Sequence, residues 1–209
     1  MAGDSFTGSE AARPMRRRPA ALLAALLGLA LSGPAAAVES TRPAHPDPAL
    51  RGALEQAMST AESFQSRFDA QVWLMDMSAR LERRVPDPQR RLALLRMVHE
   101  EATRADLRPE WVLAVIQVES NFDRFAISSA GARGLMQVMP FWLDEIGRPD
   151  DNLFQVRTNL RMGCTILRYY LDMEDGDLTR ALARYNGSLG KTWYPARVYE
   201  ALNERWFVH

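Results

Sequence analysis

From Ala49 to the C-terminus the apolar residues recur at three- and four-residue spacing, and alternating β-branched runs are almost absent. That period stacks apolar side chains on one face of successive helices and leaves no pattern from which a sheet could be built. An all-α fold is therefore expected. With 209 residues, 47% hydrophobic and 25% charged, the chain is long enough for one well-buried core. No internal repeat and no βαβ signature interrupts the helical pattern.

Several helices announce their own limits. Leu50, Leu54, Ala57 and Met58 form one stripe, and Val72, Met75 and Ala79, with the neighbouring Trp73 and Leu74, suggest a second helix. Asp87 followed by Pro88 sets an N-cap beside a first helical position, after which Leu92, Leu95, Met97 and Val98 supply a buried face to about Thr103. Asp106-Leu107-Arg108-Pro109 opens the next helix, Glu110–Ser120, whose apolar residues cover most of its circumference, so it belongs at the centre of the fold. A loop with Gly131 and Gly134 follows, then a helix expected over Leu135–Ile146 with Pro140 as a kink or in a first turn. Later helices are expected near Phe154–Met173, Asp177–Tyr185 and Pro195–Trp206.

The first 37 residues read differently. Arg16, Arg17 and Arg18 precede the uncharged run Ala20–Leu31, then Gly33-Pro34 and Ala35-Ala36-Ala37, the basic, apolar, small-residue order of a secretory signal. The apolar run is shorter than the roughly 20 residues a membrane-spanning helix needs. Residues 1–37 are thus expected to be a cleaved signal peptide delivering the protein to the periplasm, and a start at Met15 fits as well as one at Met1. Residues 38–48, with three prolines, read as a linker, 49–91 as an N-terminal helical extension and 92–209 as the main domain.

Losing residues 1–37 would remove four arginines and two acids from 26 basic and 26 acidic residues, leaving a net charge near −2. Nucleic acid, which wants a concentrated basic face, is not expected as a partner. The single cysteine, Cys164, permits no intramolecular disulfide and reads as a small buried hydrophobe. His45, His99 and His209 are scattered, so neither a metal cluster nor a Cys/His pair is visible, and no cofactor is expected.

Glu119 is the anomaly. It ends the apolar helix and shares a face with Val112, Val115 and Ile116, where a carboxylate is costly unless solvated at an edge, paired or kept neutral. Exposure by fraying at the helix end is the plain alternative. Burial would raise its pKa and let it hold a proton near neutral pH, as a general acid in glycoside cleavage must. Asp123 reads as a loop or capping residue, and Asp144 and Glu145 as part of a solvated face.

Three strings now combine: Glu119-Ser120, Gly131-Ala132-Arg133-Gly134-Leu135-Met136-Gln137, and Ala183-Arg184-Tyr185-Asn186-Gly187. In order and spacing they resemble the three motifs of soluble lytic transglycosylase (SLT) domains, which have a goose-type lysozyme-like fold. The resemblance covers about Leu92–Leu202. It implies an enzyme acting on peptidoglycan glycan strands, cutting the β-1,4 bond between N-acetylmuramic acid and N-acetylglucosamine and leaving a 1,6-anhydromuramic end. One glutamate, here Glu119, would serve as both acid and base, so no second carboxylate is needed. By the same resemblance Ser128 would face the substrate acetamido group, Gln137 would line the subsite beside the cut, and Tyr185 and Asn186 would face the glutamate, the tyrosine hydroxyl close to its proton.

Met136 is expected to pack the wall, with Ala132 and Gly134 permitting tight turns. The third motif departs from the commoner form, which has Ala at Arg184 and Ala-Gly at Gly187-Ser188. Trp73, Trp193 and Tyr194 could stack on sugars, but a single aromatic is more often packing. A hydrolytic lysozyme-type muramidase, a non-catalytic glycan-binding protein of the same fold, and a helical periplasmic partner-binding protein are the alternatives. A monomer is expected, and partners in cell-wall machinery are left open.

Overall fold

A computed structural model of the chain describes residues 66–207. The signal region 1–37, the linker 38–48 and the first stripe, Leu50 to Met58, lie outside the described residues. The helices are α1 (Arg67–Leu81), α2 (Pro88–Arg104), α3 (Pro109–Ser120), α4 (Trp142–Ile146), α5 (Val156–Met173), α6 (Leu178–Tyr185) and α7 (Trp193–Ala201), which runs on into a π-helical turn, Leu202–Trp206. The only β features among the described residues are isolated bridges, Ile127 with Arg133 and Arg133 with Val138. The fold is all-α, and no described helix is long and apolar enough to cross a membrane.

The cap expected at Asp87 forms, and a second is found at Asp177. Asp87 accepts from the Arg90 N–H at 2.9 Å ahead of Pro88, and Asp177 accepts from the Arg180 N–H at 3.0 Å at the start of α6. α3 is central: Val112, Leu113, Ala114, Val115 and Ile116 are all completely buried, packed by α2 on one side and by α7 with its π-turn on the other. α5 then lies against α2 and α6, and α6 against α7. The thiol of Cys164 is buried within α5, and burial pushes its pKa up, away from reactivity.

α1 shows the first departure. Val72, Met75 and Ala79 face solvent, whereas Leu74, Met77 and Leu81 enter the same core as α2 and α3. Two apolar stripes compete on this helix, and Ser78 decides between them by accepting from the buried Arg91 at 2.8 Å. Arg91 also donates to the Val85 and Pro86 carbonyls, fixing the α1–α2 turn. Residues 67–81 of the expected extension are thus part of one continuous core.

The second departure concerns Leu135–Ile146, where only Trp142–Ile146 is helical. Arg133 and Val138 exchange backbone hydrogen bonds at 3.0 Å, and Gln137 sits at φ 48°, a left-handed conformation that no helix interior allows. Leu135, Met136 and Val138 are buried because the loop folds inward, so helical spacing of apolar residues arises here without a helix.

Candidate active site

Glu119 lies on the last turn of α3, partly buried. Burial pushes its pKa up to about 7, against the opposing pull of a hydrogen bond from Tyr194 and the nearby charge of Arg197. The carboxyl is therefore shared between protonated and ionised forms at neutral pH. The Tyr194 hydroxyl donates to Glu119 Oε1 at 2.6 Å, and its ring, only 1% exposed, walls the carboxyl on the α7 side. Burial, then the Glu119 charge, hold the Tyr194 phenol well above its ordinary pKa, so it remains a donor.

The loop after α3 is tied to the glutamate's helix by the next residue. Ser120 Oγ lies 2.8 Å from the Leu135 carbonyl and 3.2 Å from that of Ile116, and its one proton is shared between them. From behind, the buried Asn159 of α5 accepts from the Met136 N–H at 2.8 Å and donates to the carbonyls of Arg133 at 2.8 Å and Leu153 at 2.9 Å. Gly134, at φ 74°, has the Asn159 amide and the Leu153 carbonyl so close that a Cβ would collide with both. Met136 is wholly buried against Gly163, where a Cβ would likewise strike it.

The expected site residues fall as follows. Gln137 donates from Nε2 to the Gly134 carbonyl at 2.9 Å and the Ala126 carbonyl at 3.1 Å, which leaves its amide oxygen as an acceptor. Ser128 Oγ accepts from the Ala132 N–H at 3.1 Å, closing the turn while its own proton stays available. Asn186 caps the C-terminus of α6 beside Tyr185 and makes no side-chain hydrogen bond within the described chain. Asp123 accepts from the Phe125 N–H at 2.9 Å, and Asp144 and Glu145 are exposed, as their loop and surface readings require.

Tyr185 stands near the glutamate with its hydroxyl engaged on the loop. Its hydroxyl donates to the Met136 carbonyl at 2.7 Å and not to Glu119. The Glu119 charge still reaches it, adding to the burial that raises its pKa, so the ring stands near the carboxyl while its proton is spent on the loop. The direct partner of Glu119 is Tyr194, left unassigned by sequence reasoning because a single aromatic is more often packing than a contact to sugar. The signal available was a single tyrosine between Trp193 and Pro195, too common to single out.

The departure at Arg184 also finds its reason. Glu174, 8% exposed, is gripped by Arg180 and Arg184 together, and their hydrogen bonds hold its carboxyl below the usual range. Arg184 thus secures α6 to the end of α5. Among the described residues no group of three or more His, Cys, Asp or Glu is placed to hold a metal ion.

The model of the transglycosylase SLT domain matches residues 96–206, a span holding every one of these side chains. The chain belongs to the SLT domain family. The chain is 33% identical over 105 residues to a protein named transglycosylase of Enterobacteria phage PRD1, an alignment covering 47% of this chain and 38% of the phage protein. The chain thus spans well under half the length of that curated relative. Among solved structures, an inactive mutant of the lytic transglycosylase Slt of Pseudomonas aeruginosa superposes with a TM-score of 0.42 at 24% identity, covering 76% of this chain and 32% of that one. The 70-kDa soluble lytic transglycosylase of Escherichia coli superposes with a TM-score of 0.42 at 17% identity, over 74% and 29% of the two chains. The matched span begins within α2, so the helix α1 lies ahead of the SLT domain proper.

Proposed function

We propose that this SLT-domain protein is a peptidoglycan lytic transglycosylase in which Glu119 acts alone as acid and then base. The observation that carries the reading is the environment of Glu119: a carboxyl made proton-retentive by burial to a pKa of about 7, yet held by a phenol that favours its ionised form. Such a group can give and recover a proton at nearly equal cost.

In the first step Glu119 donates its proton to the glycosidic oxygen as the bond from that oxygen to the muramic C1 breaks, releasing the N-acetylglucosamine side as an alcohol. The positive charge developing at C1 is relieved by the substrate's own 2-acetamido group. In the second step the Glu119 carboxylate takes the proton of the muramic C6 hydroxyl while O6 bonds to C1, which closes the 1,6-anhydro ring and restores the acid. Two carboxylates, as in ordinary glycosidases, are not required. Gln137 with its free amide oxygen, Ser128 with its available proton and the unbonded side chain of Asn186 are the proposed contacts to the sugars. The expected export signal would carry the enzyme to the compartment where peptidoglycan lies.

The test is digestion of purified peptidoglycan followed by mass analysis. Products lighter by one water than reducing-end muropeptides support transglycosylation, reducing ends would make the protein a hydrolytic muramidase, and binding without products would make it a glycan-binding protein. Glu119→Gln should release no product while melting at a temperature no lower than the wild type.

A further inference from the structure

On α7 the 3.6-residue turn sets successive side chains about 100° apart, so Arg197 falls about 60° from Tyr194 and about 40° from Trp193. Tyr194 points inward to Glu119, and Trp193 lies edge-on to it, ring centroids 5.9 Å apart, with 49% of its surface in solvent. Arg197 therefore emerges between the carboxyl's phenol partner and an exposed indole. It is exposed itself, and it makes no hydrogen bond, ion pair or ring contact among the described residues. Most arginines of the fold are committed: Arg80 to Asp76 and two C-terminal carbonyls, Arg91 to Ser78 and two loop carbonyls, Arg180 and Arg184 to Glu174. Its charge is nonetheless felt by both Glu119 and Tyr194, which places the guanidinium within range of the reacting centre.

An uncommitted guanidinium beside an acid catalyst wants an anion from outside the chain, and its planar fork suits a carboxylate best. An exposed indole next to it offers a flat apolar face to the C–H side of a sugar ring. We propose that Arg197, with Trp193 as its platform, is a specificity-determining residue that pairs with a carboxylate borne by the glycan bound against Glu119. This rests on the peptidoglycan reading above, in which carboxylates come from two sources, the stem peptide and the lactyl arm of a muramic residue stripped of its peptide.

The experiment measures binding to the Glu119→Gln protein, which leaves the strands intact. Three soluble strands are compared: one with stem peptides bearing free carboxylates, the same strand with those carboxylates converted to amides, and a peptide-free strand with its lactyl carboxylates exposed. The expected result is tighter binding of at least one acidic strand than of the amidated one, by about twofold to fivefold, the size of an exposed ion pair. That preference should vanish when Arg197→Gln is added, persist in part with Arg197→Lys, and shrink as salt rises. Whichever acidic strand is preferred identifies the source of the carboxylate. Equal binding of all three strands, or a preference untouched by Arg197→Gln, overturns the proposal. Failure of the wild type to cleave any strand would overturn the enzymatic reading instead, since the binding preference is read without turnover.

Discussion

At the residue scale the proposed chemistry rests on Glu119 and the phenol that touches it. A general acid with a pKa of about 7 loses its proton as pH rises, so cleavage should fall off above neutrality, seen as the alkaline limb of the pH–rate profile. The Tyr194 hydroxyl opposes the burial effect by favouring the carboxylate. Tyr194→Phe should therefore move that limb to higher pH while lowering kcat by about tenfold or more, because the acid recovers its base form less readily. A structural role for Tyr194 alone would lower activity without moving the limb. The same residue leaves a thermodynamic trace. The folded state holds the Glu119 proton from the ordinary carboxyl pKa of 4.5 up to about 7, while the unfolded chain has released it. Between those values stability falls as pH rises, and the loss is complete above the folded pKa. Glu119→Gln removes the penalty, so its melting temperature should exceed the wild type's by a few degrees at pH 8 and match it near pH 4.5, as followed by circular dichroism.

At the element scale the loop Gly131–Gln137 is shaped by what lies behind it. Gly131 and Gly134 share a left-handed φ, 88° and 74°, yet only Gly134 is crowded, by Asn159 and the Leu153 carbonyl. Gly131→Ala should cost about 1 kcal/mol, the conformational penalty alone, whereas Gly134→Ala should cost about 3 kcal/mol or more by urea denaturation and also lower activity. Equal costs would mean the loop shifts freely off α5. The helix cap at Asp87-Pro88 was legible because it is local: the capping oxygen and the N–H it serves are three residues apart. The loop was not legible, since Leu135, Met136 and Val138 are apolar for the sake of contacts with α5, and their spacing imitates a helix. The three motifs pointed to the loop as a candidate part of the site, but the hydrogen bonds of Asn159, arriving from a different helix, carry no signature in the loop's own residues. The stripe on α1 misled for a similar reason, being decided by Arg91 across the α1–α2 turn.

At the scale of the whole molecule the C-terminal end closes over the helix that bears the acid. Trp206 is fully buried, its Nε1 donates to Gln117 Oε1 at 2.9 Å, and its ring lies 5.6 Å from that of Phe122. Phe122 needs that cover, for it holds φ 71°, a left-handed conformation rare in an aromatic residue and sustained only where packing over-determines it. Arg80 completes the closure by donating to the Arg205 and Phe207 carbonyls. Trp206→Ala should destabilise the fold by about 3–5 kcal/mol in thermal or urea unfolding, and should depress activity at temperatures where the fold persists, because Gln117 is two residues from Glu119. The bond from Tyr194 spans 75 residues of chain. A nascent polypeptide that has emitted Glu119 but not yet α7 lacks this phenol, and also lacks the packing of α7 on α3 that contributes to the burial of the carboxyl. On the proposed reading the reagent is complete only once α7 has docked on α3, so a chain interrupted before α7 would be chemically inert.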